Sequence, residues 1–273
     1  MWLLLILIAI LLFVRFSLRY AWWRPTLDES CPRILMYHMI AAHRKDARFN
    51  GLRVPLQQFE LQLGWLREHG WSSYTVSELI AMQGRVPNKT VVITFDDGYA
   101  DNLLAALPLL EKYDFRATLY LVVERFDRDW SVSRKAHHNE GELMREAKLS
   151  DEQVSLLLQS GRFELGSHGM THANFQRCDE AMVKYELNTS RQLLEEKFAV
   201  PVESFAYPFG LFQPQHVTLV EEAGYCNAVT TEQGVADMTP EQRFTLRRIK
   251  VGGRENMRAF RLRIRTGRRG LFK

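Results

Sequence analysis

The chain has 273 residues, of which 46% are hydrophobic and 25% charged, enough to bury one large core and too apolar for a mainly disordered chain. No repeat of fixed period and no Ser-, Gln- or Pro-rich tract is present, which excludes a solenoid and a low-complexity scaffold. The net charge of +4 belongs to the two ends: residues 1–24 hold three Arg and no acid, residues 254–273 hold seven Arg and one Lys against one Glu, and residues 25–253 are net acidic, with 25 basic against 31 acidic side chains.

The chain opens on "MWLLLILIAILLFV", followed by "RFSLRYAWWRP", in which Arg15, Arg19 and Arg24 are interleaved with aromatics. A full span needs about 20 residues, so the segment recruits Phe16, Leu18 and the belt of Tyr20, Trp22 and Trp23, with the arginines reaching to the interface. Residues 1–24 are therefore expected to be a single-pass anchor in the cell inner (plasma) membrane. A cleaved signal peptide fits poorly, since no basic stretch precedes the apolar run and no small-x-small site follows it. Positive charge after the span favours the cytoplasmic face for the rest of the chain, as does a basic tail beside an anionic leaflet. Cys31, Cys178 and Cys226, odd in number and far apart, form no disulfide framework.

After a linker at 25–33, strand-like and helix-like segments alternate over residues 34–252. "RILMYH" (33–38) reads as a strand and "PLQQFELQLGWLREHG" (55–70) as a helix stopped by Gly70. Strand "TVVITF" (90–95), helix "ADNLLAALPLLEKYD" and strand "ATLYLVV" (117–123) follow. "SDEQVSLLLQSG" opens with a capping box of Ser150 and Gln153. Then come strand "FELGSH", helix "DEAMVKYELNTSRQLLEEKF", strand "ESFAYP", helix "QHVTLVEEAG" and strands "CNAVTT" and "LRRIKV". Repeated βα units predict parallel strands in an α/β fold, a closed or nearly closed (β/α) barrel, with an open doubly wound sheet as the alternative. In the basic tail, 253–273, Phe260, Leu262 and Ile264 alternate with Arg261, Arg263 and Arg265, a pattern suited to a membrane-surface strip or an edge strand.

Polar residues collect at the predicted strand ends. His38 ends the first strand, Asp96 and Asp97 the second, His168 a later one, and "YPFG" the next. In a βα barrel these ends share the rim where catalytic residues gather. His168 and His172 in "SHGMTH" are four apart and can face one point. Two imidazoles and one carboxylate make a three-ligand site with open positions, suited to a divalent ion: Zn, or Co, Ni or Fe. Adjacent aspartates reach one site only where the strand gives way to a turn, which Gly98 marks. One of the pair then binds the metal while the other takes a proton from water.

"TFDDGY", "SHGMTH" and "YPFG", in this order, resemble the first three motifs of the polysaccharide deacetylases, carbohydrate esterase family 4, over about residues 33–252. The resemblance implies a distorted (β/α) barrel with Asp96 as general base, Asp97, His168 and His172 as metal ligands, and the backbone N–H of Phe209 as oxyanion donor. Two departures stand out. The family's third motif usually has an arginine two residues before the proline, where this chain has Ala206, and its late strand usually ends in a catalytic histidine, where "LRRIKV" has none. In the branch acting on poly-N-acetylglucosamine the acid histidine comes from the first strand, which implies His38 as the general acid; a core histidine is the alternative. Arg248 or Arg247 takes over the orienting of Asp96, or else lies on a solvated edge. Trp130 in "DRDWS" is expected to pack on the barrel, with Asp129 and Trp130 at the site as the family-like alternative. His137 and His138 belong to a charged, solvated insertion.

The resemblance implies a metal-dependent hydrolase that removes N-acetyl groups from amino sugars of a membrane-associated or cell-envelope glycan or its lipid-linked precursor. A catalytically impaired glycan-binding relative is the second reading. A phosphatase with an aspartyl nucleophile fits poorly, because that chemistry wants Asp-x-Asp. The expected partners are the N-acetylated glycan, the membrane, and anionic lipid or lipopolysaccharide at the basic tail; nucleic acid is not expected.

Overall fold

The computed structural model describes residues 2–128, 130, 141–268 and 270. After helix α1 (Trp2–Tyr20) come β1 (Arg33–Tyr37), α2 (Leu56–Glu68), β2 (Ser72–Tyr74), α3 (Val76–Ala81), β3 (Thr90–Asp96) and α4 (Leu107–Tyr113). Then follow β4 (Ala117–Leu121), α5 (Asp151–Gln159), β5 (Phe163–Ser167), α6 (Glu180–Phe198), β6 (Ser204–Ala206), α7 (Pro214–Glu222), β7 (Asn227–Gln233), β8 (Leu246–Lys250) and α8 (Met257–Thr266). Asp129, His137 and His138 lie outside the described residues.

Among the described residues these strands all pair in parallel, and the order β1-β8-β7-β6-β5-β4-β3 returns to β1, so seven strands close into a barrel. The short β2 lies outside the ring, on the edge of β3 that carries β4 further along. The barrel is distorted: β5 and β6 share a single partner pair, Ser167 with Phe205, and β7 against β8 carries a register shift between Val229 and Gln233.

Strand periodicity sorts the core into two layers. Ile34, Val92, Tyr120, Ala206 and Leu246 face one another inside the barrel. Their neighbours Leu35, Ile93, Phe95, Leu119 and Phe205 point outward onto helix residues such as Phe59, Leu63, Leu110, Leu157 and Leu187. The expected capping box is formed, with Gln153 N–H donating to Ser150 Oγ and Ser150 N–H to Gln153 Oε1. A second, Thr75 with Glu78, starts α3. The β2–α3 unit escaped the sequence reading because a three-residue strand leaves no periodic signal.

The alternation expected to form a strip or edge strand at 260–265 is instead helical. Asn256 caps α8 by accepting from Ala259 N–H, and Gly267, at φ 71°, ends it. Ala259, Phe260, Arg263 and Ile264 form its buried face, because spacings of three and four decide burial on a helix. Phe260 meets Trp65 of α2 edge-on at 6.1 Å, and Arg263 forks onto Glu255 at 2.5 and 2.8 Å. Helix α1 contrasts with it: none of its residues is buried, and it is long and apolar enough to cross a membrane. Just beyond its end, Trp22 O accepts from Arg265 Nη2 at 2.5 Å, and Leu27 N–H donates to Arg265 O. The three cysteines are free.

Candidate active site

Strand β3 ends on Asp96, and the turn that follows brings Asp97 into the same hollow. Thr94 and Asp96 follow the inward parity of Val92, while the backbone at Asp97 turns to φ 77° and at Gly98 to φ 76°. A Cβ at Gly98 would lie 2.4 Å from Leu121 Cδ1, so only glycine completes this turn. The left-handed step at Asp97 re-aims a carboxylate that would otherwise point out of the barrel.

Asp97 Oδ1 lies 3.5 Å from His168 Nε2 and 3.5 Å from His172 Nε2. One ligand atom from each of the three buried residues falls within 4.8 Å of the others. His168 Nδ1 sits 2.7 Å from Ala206 O, a carbonyl it can only approach by donating, which leaves Nε2 as a lone-pair donor toward the cluster. Burial alone would raise the Asp97 pKa, but the neighbouring imidazoles of His168, His38 and His172 hold it far below the carboxylate range. Two imidazole nitrogens and a carboxylate, converging this way, can hold a divalent cation with positions left open.

His172 is brought to the cluster by its own left-handed backbone, φ 61°, and by Glu186 of α6. The Glu186 carboxylate accepts from Met170 N–H at 2.8 Å, Thr171 N–H at 3.0 Å and Thr171 Oγ1 at 2.5 Å, which ties down the turn between the two histidines. A Cβ at Gly169 would meet Glu186 Oε2 at 2.7 Å. Trp130 is buried with its ring 4.7 Å from His172, so it packs on the site itself rather than only on the barrel wall.

Asp96 is held from across the barrel. Arg248 on β8, fully buried, donates from Nη1 to Oδ1 at 2.6 Å and from Nη2 to Oδ2 at 2.7 Å. The same guanidinium donates to Thr94 Oγ1 at 3.0 Å and Thr230 O at 2.8 Å, with Tyr120 beneath it at 5.6 Å. Burial works to raise the Asp96 pKa, yet the Arg248 charge and hydrogen bonds outweigh it and keep the carboxyl ionised. Arg247, by contrast, is exposed and contacts Glu232. Strand parity separates the two arginines: 246 and 248 face inward, 247 outward.

His38, half-buried just past β1, lines the same cavity as Asp96, Asp97, His168, His172 and Phe209, a hollow of 630 Å³. Burial lowers its pKa, and the nearby Asp97 and Asp96 charges act against that. The turn that follows the aspartate pair fastens this segment: Asn102 Nδ2 donates to His38 O at 2.9 Å, and Asp101 Oδ1 accepts from Ile40 N–H at 3.0 Å. Phe209 occupies the turn after Pro208 with φ 58°, its ring 4.2 Å from His172.

His38, Asp96, Asp97, His168, His172, Phe209 and Arg248 thus meet at one rim, and Arg247 does not. Sequence reasoning missed the supporting groups Glu186, Asp101 and Asn102. Glu186 did leave a signal, an acid on the otherwise buried stripe of Val183, Leu187, Ser190 and Leu194. Arg48, Gln233 and Lys250, which also line the hollow, left none.

Residues 83–228 match the family model described as polysaccharide deacetylase. The protein YxkH of Bacillus subtilis (strain 168), named for the polysaccharide deacetylases, is 31% identical over 234 residues, which cover 85% of this chain and 75% of that one. The poly-beta-1,6-N-acetyl-D-glucosamine N-deacetylase of Staphylococcus aureus (strain MSSA476) is 26% identical over 183 residues, 63% of this chain and 58% of that longer protein. The crystal structure of BC0361, a polysaccharide deacetylase from Bacillus cereus, superposes with a TM-score of 0.72 at 26% identity, over 86% of this chain and 69% of that one. The chain belongs to the polysaccharide deacetylase family.

Proposed function

We propose that the chain is a metal-dependent hydrolase that removes N-acetyl groups from amino sugars of a membrane-associated or cell-envelope glycan. The observation that carries this reading is the division of the aspartate pair: Asp97 facing two imidazoles, and Asp96 clamped by Arg248 on the floor of the same hollow. The relative that acts on poly-beta-1,6-N-acetyl-D-glucosamine supports an N-acetylated glycan as substrate.

Asp97, His168 and His172 would hold the cation, which when bound supplies Lewis acidity toward the acetyl carbonyl. Asp96, fixed by Arg248, accepts a proton from the attacking water as its oxygen bonds to the carbonyl carbon. The Phe209 N–H donates to the oxygen on which negative charge develops. His38 delivers a proton to the nitrogen as the C–N bond breaks, so that acetate and a free amine leave. Its lowered pKa makes it a stronger acid, at the cost of a smaller protonated fraction at neutral pH. Zinc fits the donor set, as do Co, Ni and Fe.

The division of the chain that accompanies this reading is an anchor at 1–24, a linker at 25–33, the catalytic unit over 34–252 and a basic segment from 253. Helix α1, long and apolar enough to cross a membrane, supports an anchor in the inner (plasma) membrane, with the cytoplasmic face favoured by Arg15, Arg19 and Arg24. Anionic lipid or lipopolysaccharide is the partner for the exposed arginines of the last segment. The test is release of acetate from an N-acetylglucosamine oligosaccharide by the metal-loaded full chain. A chain that binds the oligosaccharide and releases no acetate with any of the four metals would be a glycan-binding relative instead.

A further inference from the structure

Beyond the catalytic hollow a second one, of 410 Å³, shares Gly51, Gln233 and Lys250 with it, so the two adjoin. The charged residues of the second are Lys250, Arg254 and Arg263 against Glu255 alone. Arg263 and Glu255 neutralise each other through their fork, and Gln233 Oε1 is spent on Arg263 Nη1 at 2.9 Å. Among the described residues neither Lys250 nor Arg254 has an acidic side chain within 4.0 Å. Their placement is built in: Gly253 donates to Gly51 O at 3.1 Å, and a Cβ there would lie 1.7 Å from Arg53 O. Only glycine lets the loop after β8 press onto the segment that forms the opposite wall, and Arg254 is the next residue.

Resting on the deacetylase reading, we propose that Lys250 and Arg254 form a subsite for an anionic group of the substrate, a phosphate or carboxylate attached to the glycan beyond the sugar whose acetamide enters the catalytic hollow. Two cations with no acidic side chain within 4.0 Å among the described residues, beside the catalytic hollow, select charge at that distance, because a neutral glycan leaves them solvated while an anion gains charge-assisted hydrogen bonds. The class of substrate is therefore an acidic or phosphate-linked glycan, not a neutral homopolymer.

The test uses the full chain in detergent, metal-loaded, with three oligosaccharides of N-acetylglucosamine: a neutral one, one with a phosphodiester at its reducing end and one ending in a hexuronic acid. At about 0.1 M salt, kcat/KM should favour an anionic chain over the neutral one by roughly tenfold, through KM, and the preference should shrink at 1 M salt. Arg254→Gln should cut that ratio about three- to tenfold. Preference for the phosphorylated chain alone identifies phosphate as the partner; preference for the uronate alone identifies carboxylate. Equal turnover of all three chains, or a preference that Arg254→Gln leaves intact, overturns the subsite while the deacetylase reading stands. Calorimetric binding of the phosphorylated chain to the same two proteins gives a readout independent of turnover. A Kd that rises three- to tenfold in Arg254→Gln supports the subsite even if no acetate is released, and an unchanged Kd sinks it.

Discussion

On the β3 and β5 side of the rim, Asp97, His168 and His172 gather three ligand atoms within 4.8 Å from two short stretches of chain, whereas on the β8 and β1 side Arg248, His38 and Lys250 come from segments more than 200 residues apart. The first side is shaped by local backbone: left-handed residues at Asp97 and His172, with Glu186 stapling the turn between the histidines. The second is fixed by barrel closure, since Arg248 reaches Asp96 only because β8 and β3 both pair with β1. The difference teaches that one half concentrates donor atoms through local turns while the other orients a carboxylate through barrel closure; on the proposed reading these are the ligand side and the proton-transfer side. Substitutions should separate accordingly.

The largest effect is expected on the ligand side. His168→Ala and His172→Ala should each lose bound metal, and acetate release should fall by on the order of 10³-fold or more, since the cation is worth several kcal/mol. Elemental analysis of the purified variants checks this; a variant that keeps full metal and loses only rate would erase the contrast. On the other side, His38→Ala should retain the metal yet lower kcat on an N-acetyl substrate by roughly 10²- to 10⁴-fold, while an activated O-acetyl ester, whose leaving group needs little protonation, loses much less. Equal losses on both substrates would make His38 a packing residue.

Arg248→Met leaves the Asp96 charge buried without its partner and should cost about 3–5 kcal/mol of stability, read by denaturant unfolding, with metal content unchanged. Arg248→Lys should recover part of the stability and little of the rate, because an ammonium cannot fork. The smallest effect concerns Lys148, which supports the ligand side with its ammonium over the rings of Tyr99 and Trp130 at 4.4 and 4.8 Å. Burial pulls its pKa down to about 8. A lysine whose folded pKa is depressed binds its proton more weakly than the unfolded chain does, so stability should rise by on the order of 1–3 kcal/mol as pH climbs from about 8 to about 10.5. Lys148→Met should flatten that rise.

The contrast also accounts for what was legible in the sequence. Apolar runs ending in His, Asp-Asp and Ser-His revealed both the barrel and the ligand side, because a buried strand leaves a periodic trace and its end is marked by a turn residue. The choice between Arg247 and Arg248 depends on inward parity, which needs the closed barrel to be read. The segment at 260–265 was misread because alternating Arg and apolar residues also place Phe260 and Ile264 one helical turn apart. Asp101 and Asn102 stayed hidden since their partners, Ile40 N–H and His38 O, are backbone groups about 60 residues away.

The division of the aspartate pair is tested most directly by metal content and acetate release measured side by side in Asp96→Asn and Asp97→Asn. Asp96→Asn should hold its metal and lose turnover, because the Arg248 fork positions a base and not a ligand. Asp97→Asn should lose the metal, and turnover with it. An Asp96→Asn protein without metal beside an Asp97→Asn protein that keeps it would contradict the account.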